Sequence, residues 1–121
     1  MSKQKNPLKV MSFQRSGCPL SCALDVIGDK WSLVIVRDLF FGKRRFSELQ
    51  SSDEGITTNI LTERLTRLER AGLIEKRLYQ KRPPRYEYHL SESGRALSPI
   101  LKVYITWSRS YIPGTRRPPV E

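Results

Sequence analysis

The 121-residue chain is 38% hydrophobic and carries 22 Lys and Arg against 12 Asp and Glu, a formal charge of +10 with a pI near 10.1. One domain with arms is expected, together with a polyanionic partner: nucleic acid first, an anionic membrane surface second. Two cysteines are too few for a disulfide scaffold, no apolar run reaches the ~18 residues of a membrane helix, and the start MSKQKNPLKVMSFQRSG lacks a signal peptide's apolar stretch, so a cytoplasmic, nucleoid-associated protein is expected.

Residues 1–17 hold Lys3, Lys5, Lys9 and Arg15 and no acid, the composition of a mobile basic arm with Met11 and Phe13 available to dock. LSCALDVI (20–27) predicts a short amphipathic helix stopped by Gly28. In KWSLVIVRDLFFG (30–42), the apolar stretch from Trp31 to Phe41 is long for a strand, and a central buried helix is predicted, with Gly42 as its stop. KRRFSELQSS (43–52) gives a short helix with Phe46 and Leu49 at i, i+3, followed by a turn at Asp53, Glu54 and Gly55. ITTNILTERLTRLERAGL (56–73) is the best-defined helix, capped by Thr57 or Thr58 without a capping box and ended by Gly72. Leu61, Leu65 and Leu68 form its inward stripe. Asn59, Glu63, Thr66 and Arg70 lie opposite, with Thr62 and Arg67 on the flanks. LIEKRLYQ (73–80) and YEYHL (86–90) alternate apolar and polar residues and predict a hairpin joined by KRPPR. Residues 91–112 read as helical, with Ser91 as cap and an apolar seam of Leu97, Ile100, Leu101, Tyr104, Trp107 and Tyr111; Pro99 either kinks this helix or opens a second one.

Short helix, turn, polar-faced helix and basic hairpin together define a mostly α chain with a small β-hairpin, a winged helix-turn-helix. Thr58, Asn59, Thr62, Glu63, Thr66 and Arg67 are the candidate base contacts. Asn suits adenine, Arg guanine, Glu cytosine and the threonine methyls thymine; Glu63 equally suits orienting Arg67 at i+4. Lys43, Arg44, Arg45, Thr57 and Arg70 are the candidate backbone contacts. Arg64, near the buried stripe, is expected in a structural ion pair. In the wing, Pro83 and Pro84 stiffen a tip that presents Lys81, Arg82 and Arg85 to phosphates, or an arginine to a narrow minor groove. Five positive charges and no acid across residues 76–85 support this over an ordinary polar loop.

These stretches resemble the HxlR family of winged helix-turn-helix transcriptional regulators, related to the MarR group. The shared features, in order, are the Cys-Pro start, Gly-x-Lys-Trp, Arg-Phe-x-Glu-Leu, Leu-x-Glu-Arg-Leu and Pro-Pro-Arg-x-Glu-Tyr, spread over residues 18–107. The resemblance implies a DNA-binding domain at 18–111 between the arm (1–17) and a tail (112–121). It further implies a homodimer on a palindromic operator, repressing or activating nearby genes. N- and C-terminal helices would pair the subunits through Leu20, Leu24, Leu101, Tyr104, Trp107 and Tyr111, setting recognition helices ~34 Å apart. It also makes Cys18 a candidate sensor of oxidants or electrophiles, a small buried residue being the plainer role. Cys22 departs from the family pattern, is badly oriented for a bond to Cys18 on the same helix, and with the lone His89 makes a weak zinc site. No catalytic set and no cofactor motif is found, so no enzyme is expected. The alternative is a winged helix that binds RNA, with Tyr79, Tyr86 and Tyr88 as stacking residues, or that assembles with protein partners.

Overall fold

Glycine, proline and hydroxyl residues set several of the element ends. The structure, a computed structural model, describes residues 15–115. Most of the basic arm, including Met11 and Phe13, and the last six residues of the tail lie outside that span. The order is α1 (Pro19–Ile27), α2 (Ser32–Phe40), α3 (Phe46–Gln50), α4 (Thr58–Ala71), β1 (Ile74–Gln80), β2 (Arg85–Leu90), α5 (Glu92–Arg95) and α6 (Ser98–Tyr111).

Pro19 opens α1, where a missing N–H costs nothing. The Asp29 carboxylate accepts the amides of Trp31 and Ser32 at 3.0 Å each and so starts α2. Thr57 caps α4 by accepting the Ile60 amide, and Gly72 ends it in the left-handed conformation, with the Leu73 amide reaching back to the Leu68 carbonyl. Pro99 does not kink a continuous helix. It lies in the first turn of α6, after the short α5 that Ser91 caps.

The core gathers Val26 and Ile27 of α1, Ile35, Val36 and Leu39 of α2, Leu49 of α3, and Leu61, Leu65, Leu68 and Ala71 of α4, closed by Ile56, Leu73, Ile74 and Leu90. Burying a leucine of this kind stabilises the fold by about 1.5–3 kcal/mol. The strands pair antiparallel, from Ile74 opposite Leu90 to Leu78 opposite Tyr86, with an irregularity between Leu78 and Gln80. The Tyr88 amide donates to the Arg44 carbonyl at 2.8 Å, so the segment before α3 runs along the free edge of β2. Gly94 seats α5 against the start of the hairpin, where a Cβ would stand 2.2 Å from the Leu73 carbonyl oxygen.

α6 buries none of its residues. Leu101, expected in the exposed seam, is half-buried against the chain's own core, whereas Val103, not singled out by the sequence, is 67% exposed. Ile100, Tyr104, Trp107 and Tyr111 are exposed as expected. No helix of the described residues is long and apolar enough to cross a membrane.

Candidate nucleic-acid interface

With Leu61, Leu65 and Leu68 turned into the core, the other side of α4 faces outward. Thr58, Asn59, Thr62, Glu63, Thr66 and Arg70 are exposed and Arg67 is half-buried; neither Arg67 nor Arg70 has an ion-pair partner among the described residues. Two hydroxyls are already engaged. Thr66 donates to the Thr62 carbonyl at 3.0 Å, and Thr58 accepts from the Gln50 amide, which fastens α3 to α4. Thr57 is exposed, its hydroxyl oxygen held by the cap.

Ion pairs fasten the turn before this helix and the middle of the helix itself. The Arg37 guanidinium forks onto Glu54, at 2.8 and 2.9 Å, while also bonding Asp38. Arg37 holds the Glu54 carboxyl at about 2 against the opposing effect of burial. At mid-helix Arg64 reaches Asp29 at 2.8 Å, the structural ion pair expected of it. Burial pushes the Asp29 carboxyl up, but the Ser32 and Arg64 side chains and the Trp31 and Ser32 amides outweigh it and hold it at about 2. Glu63 contacts Arg64 and not Arg67, the i+4 neighbour that was one of its two candidate partners.

The three cations before α3, the candidate backbone contacts, already have partners within the protein. Arg44 donates from Nη1 to the Leu39 and Lys43 carbonyls at 2.7 and 2.8 Å, tying the end of α2 to the edge segment. Lys43 lies 3.8 Å from Asp38. Arg45 is exposed but stacks 4.2 Å from the Tyr79 ring and lies 3.7 Å from Glu87. Glu48 accepts the Arg44 and Arg45 amides, which lowers its pKa.

Residues 81–86 of the wing are exposed throughout, and Lys81, Arg82 and Arg85 have no ion-pair partner among the described residues. The Gln80 amide donates to the Pro83 carbonyl at 3.1 Å, bracing the tip that also contains Pro84. Tyr79 and Tyr86 are exposed and Tyr88 is half-buried. Tyr88 packs on the core, Lys76 stacks 4.4 Å from the Tyr86 ring, and Arg45 covers Tyr79.

At the other end, Cys18 is exposed at the start of α1, and the amides of Ser21 and Leu20 lower its pKa. Cys22 is half-buried, and its thiol donates to the Ser16 carbonyl at 3.4 Å. Arg15 pairs with Asp25 at 2.8 Å, so residues 15–17, counted with the arm from sequence, dock on α1. Leu20 and Leu24 on the same helix are exposed.

A short helix, a turn, a helix with a polar outer side and a basic hairpin define a winged helix-turn-helix transcriptional regulator. The HxlR-like helix-turn-helix family model matches residues 26–116, and the chain belongs to that family. It is 37% identical over 111 residues to the uncharacterised HTH-type transcriptional regulator YdeP of Bacillus subtilis, covering 92% of this chain and 87% of YdeP. It is similar to the redox regulator HypR in its oxidised form, with a TM-score of 0.71 at 37% identity over 84% of this chain and 100% of that one. It also resembles the reduced form of the transcriptional regulator YodB from B. subtilis, with a TM-score of 0.68 at 26% identity over 84% of this chain and 100% of that one.

Proposed function

We propose that this regulator works as a homodimer on a palindromic double-stranded DNA operator, repressing or dually regulating nearby genes, with α4 in the major groove and the wing on the flanking backbone. The observation that carries this reading is the division of α4, whose leucine side is buried while Thr58, Asn59, Thr62, Glu63 and Thr66 stand exposed. Arg67, half-buried and without an ion pair among the described residues, extends that side, and Arg70 and Thr57 at its ends serve the phosphates. The dimer is supported by apolar surface that a monomer leaves wet: Leu20 and Leu24 on α1, and a groove on α6 lined by Pro99, Ile100, Val103, Tyr104 and Trp107, with Tyr111 beyond it. Tyr88 packs on the core, and the exposed Tyr79 and Tyr86 rings each already have a cation over one face, which favours duplex DNA over an RNA-stacking surface.

Selection of bound duplexes from a randomised pool tests the reading. The wild-type protein should enrich a palindrome, and Asn59→Ala or Arg67→Ala should cost about 1–3 kcal/mol at one or two base positions in each half-site. Equal weakening on random DNA would remove these residues from base reading.

A second element concerns the signal. Cys18 is exposed, its thiol is acidified by the start of α1, and the similar protein HypR is a redox regulator. In this reading Cys18 reports oxidants or electrophiles. Cys18→Ser should leave operator binding intact in reductant and abolish its response to peroxide or quinone in a mobility-shift titration. A variant that still responds would exclude Cys18; Cys22 would then be tested in the same way.

A further inference from the structure

The bond between Arg64 and Asp29 links positions 35 residues apart and does more than fasten two elements. Asp29 is itself immobilised. It receives two amides and the Ser32 hydroxyl at the start of α2, so its Oδ2 is a fixed point onto which Arg64 Nε closes at 2.8 Å. The other end of the same guanidinium, Nη1, contacts Oε1 of Glu63. Arg64 is only 21% exposed, whereas Glu63 is 52% exposed and shares the outward side of α4 with Asn59, Thr62 and Thr66. The contact with Arg64 uses Oε1, and Oε2 has no hydrogen-bond partner among the described residues. A planar guanidinium can bridge two carboxylates in one geometry; a lysine ammonium cannot hold both in that fork.

We propose that Arg64 is a positioning residue for sequence selection: anchored on Asp29, it holds Glu63 at a set place on the outward side of α4, where the free carboxylate oxygen accepts from a base amino group, cytosine N4 or adenine N6. The inference rests on the assignment of α4 as the base-reading helix. A lone glutamate is costly to bring against a polyanion, and its mobility would blur any base preference. The neighbouring guanidinium offsets both effects, neutralising the charge locally and ordering the side chain before DNA arrives. A held carboxylate discriminates in two ways. It accepts from the amino groups of cytosine or adenine, and it repels guanine O6 and thymine O4, which present only acceptors at the corresponding positions.

The test compares base preferences from a pool of randomised duplexes for the wild type, Glu63→Ala, Arg64→Lys, their combination and Asp29→Asn, with thermal melting of each. Arg64→Lys keeps the charge, so affinity for random duplex and its salt dependence should hold. Preference at one base pair in each half-site should fall about tenfold. Glu63→Ala should flatten that same position, and the double variant should flatten it no further. Asp29→Asn retains an acceptor for the α2 amides while removing the ion pair, and it should reproduce the loss at that position. Arg64→Lys melting lower with its base preferences intact would overturn the inference and leave Arg64 a purely structural residue, as would loss at a position Glu63 does not govern. A wild-type protein that selects no sequence at all would instead overturn the operator reading, and this inference with it.

Discussion

Replacing both wing arginines, Arg82→Ala with Arg85→Ala, is expected to weaken binding to every duplex alike and to flatten the dependence of affinity on salt. Each phosphate that is no longer neutralised should remove roughly 0.9 from the slope of log K against log salt, so the pair should remove nearly two. Lys81, Arg82 and Arg85 stand on an exposed tip without ion-pair partners among the described residues, so their charge is available to an incoming polyanion. Pro83, Pro84 and the bond from Gln80 to the Pro83 carbonyl brace the tip, which limits the entropy cost when it closes on DNA. Arg45→Ala is the internal control. Its guanidinium already lies over Tyr79 and near Glu87, so its removal should change the slope less than removal of either wing arginine. Titrations of a fixed duplex at several salt concentrations give the slopes directly. A double variant with the wild-type slope would mean that the wing does not grip phosphate.

Leu61→Ala is expected to have the largest effect on stability. Leu61 is 0% exposed in the first turn of α4, and truncating a leucine in such a site costs about 2–5 kcal/mol from reduced burial and the cavity left behind. For a domain whose total stability is about 5–15 kcal/mol, that is a large fraction, and the melting temperature should fall by several degrees for each kcal/mol. Thr62→Ala, one position along and exposed, should stay within about 0.5 kcal/mol in the absence of DNA. Thermal or urea unfolding of the two variants side by side measures the contrast between the sides of α4. Equal tolerance of both would contradict the burial on which the outward orientation of Asn59, Glu63 and Arg67 depends.

The same contrast shows what could be read without coordinates. The inward stripe of α4 was legible because a helix repeats every 3.6 residues, so three leucines at i, i+4 and i+7 name the buried side by themselves. Its ends were legible too. Thr57 and Gly72 act on amides and carbonyls within one turn of their own position. The hairpin followed from two short apolar-polar runs on either side of a proline-containing tip, although only the second, residues 86–90, alternates strictly. For Pro99 the sequence left two outcomes open, and the observed one is a short α5 followed by α6.

Side-chain partnerships were far less legible. Of the two roles the sequence left open for Glu63, a base contact or orienting Arg67 at i+4, the second is not seen: Glu63 meets Arg64, whose guanidinium also reaches the sequence-distant Asp29. The fork of Arg37 on Glu54 spans 17 residues and has no signature in local spacing. Lys43, Arg44 and Arg45 look alike in a charge run, yet Arg44 is bound to carbonyls, Lys43 lies near a buried carboxylate, and Arg45 covers a tyrosine. On α6, Leu101 turned to the home core and Val103 to solvent, a choice set by how the helix rolls on its neighbours.

By itself, then, the sequence determined the succession of helices and strands, the basic character of the chain and the inward side of α4, since each depends on periodicity, caps or net charge acting over a few residues. Only the tertiary structure decided which cations stay free for a polyanion and which are bound within the protein. Salt bridges depend on distance in space, and the folded chain brings together carboxylates and guanidiniums that no local pattern connects.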